Sequence, residues 1–233
     1  MFFKDEKERR KILPIVDEEP SFSQFLNYKF IKPYIKDKKV LDIGCWTGQI
    51  EKLAVKDTGT IIGIDPGRYA IEFAKKNVPK AHFLVGTINS IPFDDSSFDV
   101  VLLLEVLEHI PKDTELSGLQ EINRILKKDG FLLLTAPNNN FFSILLDPAF
   151  FLIGHRHYSY DRLREFLKKS GFEITGFSVR GGFTQVLFNN LSLLVKHILN
   201  RKLKETDWVK KNIKKDYRPG GFLTNCIIAR KVK

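Results

Sequence analysis

Four groups of residues in this chain have the types and spacing to do chemistry. The first is Val40-Leu41-Asp42-Ile43-Gly44-Cys45-Trp46-Thr47-Gly48. An apolar run ends in an acid and then turns through two glycines, and a helical pattern follows over 49–56. A strand, a tight glycine turn and a helix N-terminus form a nucleotide-site geometry. Small residues let the backbone approach a ligand, and free N–H groups at the helix start favour a carboxylate or phosphate. The second is Asp65, which closes a β-branched run about 20 residues past the turn and can accept hydrogen bonds from both hydroxyls of a ribose. The same residue suits an N-cap ahead of Pro66 at a first helical position. The third is Glu105, Glu108 and His109, directly behind the apolar run 100–104. The fourth is Gly154-His155-Arg156-His157-Tyr158-Ser159. Imidazole has the unperturbed pKa best suited to proton transfer near neutrality. Carboxylates with an imidazole also suit Mg²⁺ or Zn²⁺.

Spacing separates the nucleotide classes. The dinucleotide fingerprint places glycines at its first, third and sixth positions. Counted from Gly44, those positions hold Gly44, Trp46 and Gln49, so the fingerprint fails. The pattern Asp-x-Gly-x-x-x-Gly resembles motif I of the class I S-adenosylmethionine-dependent methyltransferases, commonly Asp-x-Gly-Cys-Gly-Thr-Gly, with Trp46 in place of the middle glycine. Gly86-Thr87-Ile88 stands where the family often has Gly-Asp-Ala. The segment 91–101 and the run Leu-Lys-Lys-Asp-Gly-Phe-Leu-Leu-Leu-Thr-Ala-Pro-Asn over 126–138 are also similar to the family. Glu105-Val106-Leu107-Glu108-His109 resembles a string frequent in the ubiquinone-biosynthesis O-methyltransferases.

The resemblance, which runs over residues 39–138, implies S-adenosyl-L-methionine as cofactor. Carried over position by position, it implies contacts from Asp42, Gly44, Cys45, Trp46, Gly48, Asp65, Pro66, Thr87, Ile88 and Glu105. Thr87 would accept a hydrogen bond near the adenine without a charge, and Ile88 would pack on its face. The chemistry implied is methyl transfer, for which His109 and His155 are the candidate bases. No metal ligand is assigned, because the Glu105, Glu108 and His109 string is common in the superfamily without a metal.

These groups need elements to hold them. Apolar runs over 60–64, 81–85, 100–104, 131–135, 172–179 and 223–232 read as strands. Leu116, Leu119, Ile122, Ile125 and Leu126 form one stripe of a helix over 115–127, stopped at Gly130. Ser159 caps a helix from Tyr160, with Leu163, Phe166 and Leu167 inward. Alternating strands and helices predict an α/β, doubly wound, Rossmann-like sheet. The resemblance implies seven strands, the last antiparallel between the fifth and sixth. Residues 1–38 read as an N-terminal helical segment. Residues 39–233 read as the methyltransferase domain, with small helical cap insertions near 139–158 and 183–221.

A chain of 233 residues is long enough to bury one core. Its two cysteines, Cys45 and Cys226, form no metal or disulfide pattern. With a strongly charged start and no signal peptide, the cytoplasm is the expected compartment, with a membrane-peripheral position as an option. The net charge of +10 is uneven: residues 196–218 hold nine basic residues against three acids. Just before them Phe183, Leu187, Leu191, Leu194 and Ile198 share a helical stripe. A lipid-like substrate or an anionic membrane surface touched through 183–218 fits this pattern. So do RNA phosphates, and so does a cap helix with a solvated face. Nucleic acid is disfavoured because no RNA-binding module is recognisable. The expected function is methylation of a small-molecule or lipid-like acceptor, at oxygen, by in-line transfer. The alternatives are a non-catalytic cofactor-binding or interaction protein and an RNA-directed methyltransferase.

Overall fold

The computed structural model describes residues 19–199, 201 and 203–232. Seven strands form one sheet: β1 (Lys39–Ile43), β2 (Thr60–Asp65), β3 (His82–Val85), β4 (Phe98–Leu104), β5 (Leu126–Pro137), β6 (Phe172–Arg180) and β7 (Thr224–Lys231). Their order is β3-β2-β1-β4-β5-β7-β6. The first five pair in parallel, and β7 runs antiparallel to both β5 and β6, as the resemblance implied. Val100 to Leu103 are all buried, as an apolar run in a central parallel strand requires.

The described helices are α1 (Phe22–Ile35), α2 (Gln49–Ala54), α3 (Arg68–Asn77), α4 (Glu115–Ile125), α5 (Phe141–Leu145), α6 (Pro148–Ile153), α7 (Tyr160–Lys169), α8 (Phe183–Leu199) and α9 (Asp207–Asp216). Alternation along β4 divides the core in two. Val101 and Leu103 face Leu119 and Ile122 of α4 and Leu163 of α7. Val100 and Leu102 face Ile31 and Ile35 of α1 and Ile71 and Ala74 of α3. The segment read as N-terminal is thus packed into the sheet from α1 onward, while residues 1–18 lie outside the described residues.

Two boundaries differ from expectation. α3 starts at Arg68 with Gly67 as N-cap, so Pro66 precedes the helix and does not occupy its first turn. α4 ends at Ile125, and the chain from Leu126 to Gly130 already belongs to β5. There Asp129, at φ 61°, takes the left-handed conformation expected of Gly130. Gly130 lies against backbone: a Cβ would stand 2.9 Å from the Lys127 oxygen and 3.0 Å from the Asp99 oxygen. Close backbone contact, not helix termination, explains this glycine. Ser159 caps α7 as expected, its hydroxyl accepting from the Arg162 N–H at 3.3 Å.

Strand order reverses between β1 and β4. Their loops leave the same carboxyl edge, and ligands of doubly wound sheets sit at such a switch point.

Candidate functional site

The loop after β1 holds three residues with positive φ: Gly44 at 79°, Trp46 at 49° and Gly48 at 83°. Trp46 therefore follows a path usually left to glycine, which costs an L-residue roughly 1–2 kcal/mol. Its N–H donates to Asp65 Oδ2 at 3.3 Å. The N–H groups of Gly44 and Cys45 donate to the Ile64 oxygen at 2.7 and 3.1 Å. Asp65 Oδ1 accepts from Gly67 N at 2.7 Å. Asp65 thus ties the glycine loop, the end of β2 and the entry to α3 together. A Cβ at Gly44 would stand 2.4 Å from Val106 Cγ2, so this glycine lets the loops after β1 and β4 meet. Cys45 is buried. Thr87 is exposed at the rim, whereas Ile88 is buried, and a Cβ on Gly118 of α4 would stand 2.9 Å from it.

Beneath the loop lie two buried acids, Asp42 and Glu51. Burial, the largest cause, pushes Asp42 up to about 7, and the negative charge of Asp65 adds to the rise. Burial, then Asp42, pushes Glu51 well above the usual carboxylate range. The pair therefore holds a proton near neutrality. Gly63 makes the room: it pairs with Asp42 across β1 and β2, and a Cβ there would lie 2.5 Å from Glu51 Oε1 and 2.7 Å from Cys45 Cβ. Glu51 was missed in the sequence. The available signal was a glycine inside the β-branched run 60–64, which marks a close approach.

At the end of β4, Glu105 turns at φ 55°, with its N–H donating to the Thr135 carbonyl at 3.1 Å. Burial raises its carboxyl. Glu108 has a side chain only 1% exposed, and neither carboxylate oxygen has a hydrogen-bond partner. Burial and then Glu105 push it well above the usual range. Burial, the largest cause, pulls His109 down to about 3. The segment carrying His155 straps across this turn: Arg156 Nη2 donates to the Leu107 oxygen at 2.8 Å, and so does the Tyr158 hydroxyl at 3.0 Å.

The strap brings the two candidate bases together, with the rings of His109 and His155 4.8 Å apart. His155 Nδ1 lies 2.6 Å from Asp147 Oδ2. Its Nε2 lies 3.8 Å from Glu108 Oε1 and is buried without a hydrogen-bond partner. His157 Nε2 meets the same Asp147 oxygen at 2.9 Å, and its Nδ1 lies 3.0 Å from the Asn138 oxygen. Burial would raise Asp147, but hydrogen bonds from His155 and His157 outweigh it and hold the carboxyl well below its usual range. Asp147 also caps α6, accepting from Ala149 N at 2.9 Å. In the sequence, the signal for Asp147 as a cap is the proline that follows it at the first helical position. Glu108, His109 and His155 each place one ligand atom within 4.8 Å of the others, as do Asp147, His155 and His157; Glu105 belongs to neither group.

Residues 41–134 match the family model described as a methyltransferase domain. A Mycolicibacterium smegmatis protein named as a probable S-adenosylmethionine-dependent methyltransferase is 27% identical over 59% of this chain and 52% of its own length. A ubiquinone biosynthesis O-methyltransferase of Haemophilus ducreyi is 30% identical over 47% of this chain and 49% of its own. The chain thus spans about half the length of these curated relatives. The solved structure of a SAM-dependent methyltransferase from Methanosarcina mazei superposes with a TM-score of 0.62 at 24% identity, covering 87% of this chain and 96% of that one, and shares its fold. The dinucleotide fingerprint is absent, β7 is antiparallel and the glycine loop closes on Asp65. The family match covers residues 41–134, and together with the strand order and the antiparallel β7 it supports a class I S-adenosylmethionine-dependent methyltransferase domain there, a family whose cofactor is S-adenosyl-L-methionine.

Proposed function

We propose that this protein methylates a hydroxyl of a small-molecule or lipid-like acceptor, with His155 as the base. The observation that carries this is the orphaned Nε2 of His155. It is buried without a partner, while Nδ1 is fixed by Asp147 at 2.6 Å. A buried polar atom with no partner is uncommon and calls for a missing group; an acceptor hydroxyl supplies one.

The residues present fit the cofactor. Trp46 takes a positive φ like Gly44 and Gly48 on either side of it, and Asp65 is held at the loop by the N–H groups of Trp46 and Gly67, which supports a carboxylate positioned for a ribose. Gly44, Trp46, Gly48 and Asp65 would hold it, with Thr87 at the rim. When bound, S-adenosyl-L-methionine supplies a methyl group on a sulfonium, already activated for displacement. The protein's share is then mostly alignment, which is worth roughly 7–11 kcal/mol. His155 Nε2 takes the hydroxyl proton as the oxygen–methyl bond forms, and Asp147 stabilises the resulting imidazolium. His109, pulled down to about 3, remains neutral and is the weaker base. α5, α6, α8 and α9 serve as the acceptor-covering segments.

The Glu108, His109 and His155 group also suits a divalent cation, which the two unpartnered Glu108 oxygens favour. Chelation separates these roles, since a proton-accepting His155 is indifferent to chelators. The direct test is calorimetric titration with S-adenosylmethionine and S-adenosylhomocysteine, with NAD as control, followed by a turnover screen of phenolic and lipid hydroxyls. Micromolar binding of the first two and turnover with one acceptor support the proposal. Binding without turnover on any hydroxyl favours a non-catalytic cofactor-binding protein, and turnover on RNA favours the RNA-directed alternative.

A further inference from the structure

We propose that α5, α6 and α8 form a face that lies on an anionic membrane surface, beside the His155 site. This goes beyond the transfer reaction and holds whether or not the acceptor is itself a lipid. α8 carries Phe183, Leu187, Leu191, Leu194 and Ile198 on one stripe, and these side chains are 49–69% exposed. Both flanks of the stripe are already occupied: Val186 is buried, and Phe188 packs on Leu26 of α1 and Ile213 of α9. The bare stripe is thus not the unsatisfied core face of a loose helix.

The same surface continues onto the shorter helices. Phe142 of α5 meets the Phe183 ring at 5.6 Å, and Asn190 of α8 donates to the Leu146 oxygen at 2.9 Å. On α5 and α6, Phe141, Phe151 and Leu152 are 64–80% exposed. Phe150 of α6 in turn sits 5.6 Å from the His157 ring, so the apolar face borders the candidate site. Contiguous exposed apolar surface of this kind marks an interaction face.

Charge selects the partner. Arg201, Lys204, Lys211, Lys214, Lys215 and Arg218 follow α8 and are exposed. An apolar face with basic residues beside it suits the boundary between acyl chains and anionic headgroups. α8 has 17 residues, and no described helix is long and apolar enough to cross a membrane, so the contact lies along the surface. A second copy would set like charge against like in a chain of net charge +10. RNA would engage the basic residues and leave the leucine stripe in water.

Flotation of the full chain tests this, using vesicles of phosphatidylcholine alone and of phosphatidylcholine with phosphatidylglycerol, at low and high salt. Expected are roughly tenfold or more tighter binding to the anionic vesicles and weakening by salt. The double variant Leu191→Glu/Leu194→Glu should abolish binding while circular dichroism and Tm stay unchanged, because both side chains are exposed. The triple variant Lys211→Glu/Lys214→Glu/Lys215→Glu should remove the preference for anionic lipid. Four results would each overturn the proposal: no binding to anionic vesicles, binding indifferent to the leucine variant, a dimer by light scattering that the leucine variant dissolves without any vesicle binding, or retention by RNA alone. Cofactor titration of the same preparations reads the methyltransferase assignment independently.

Discussion

A base must stand near its proton and be able to keep it, and the two candidate histidines differ on the second count. His155 leans on Asp147, whereas His109 is half-buried beside a neutral-leaning Glu108. His155→Gln should therefore lower kcat by about 10²- to 10⁴-fold, with cofactor affinity little changed. Asp147→Asn should lower kcat and displace the acidic limb of the pH–rate profile while KM barely moves. An unchanged profile would reduce Asp147 to the cap of α6. Asp65 joins three segments through its two oxygens. Asp65→Ala should weaken S-adenosylmethionine binding by roughly tenfold or more, the scale of a charge-assisted hydrogen bond; unchanged affinity by calorimetry would sink the ribose assignment. Asp65 and His155 were legible as types at known spacings. Asp147 and Glu51 were not, because their value comes from partners 8 to 10 residues away or on another strand.

Between elements, the decisive contacts are close approaches. β1 and β2 can flank a buried glutamate only because Gly63 has no side chain. Gly63→Ala would place a methyl 2.5 Å from Glu51 Oε1 and 2.7 Å from Cys45 Cβ. Overpacking of this kind should destabilise the protein by about 1–3 kcal/mol. Thermal denaturation should show a lowered Tm, and the double variant with Glu51→Ala should recover much of the loss. The strap of Arg156 and Tyr158 over Leu107 is the corresponding contact on the other side of the switch point. Helix stripes and strand runs were readable from periodicity. The ends of α3 and α4 were not, since a glycine N-cap and a left-handed Asp129 replaced the expected proline and glycine signals.

For the whole molecule, the buried acid pair predicts how stability responds to pH. An unfolded aspartate titrates near 3.9, but Asp42 in the fold titrates at about 7. Between those values the fold holds a proton that the unfolded chain has released, so stability falls as pH rises through that window. Glu51, also raised, acts in the same direction, while His109, lowered to about 3, acts in the opposite one. Comparing wild type with Glu51→Gln isolates the pair. The wild type should lose more Tm between pH 5 and pH 8, by an amount on the order of 2–4 °C per kcal/mol. Parallel Tm curves would overturn the assignment of raised, buried acids. The sequence by itself determined the α/β class, the glycine loop and the acid closing β2, because these depend on local periodicity and fixed short spacings, and its resemblance to a known family implied the cofactor. Tertiary structure alone decided that His155 meets His109 and Asp147, that Glu51 lies under the loop, and that the α8 stripe faces outward. Those facts depend on which distant segments the sheet order and the cap bring into contact, and no local pattern encodes that.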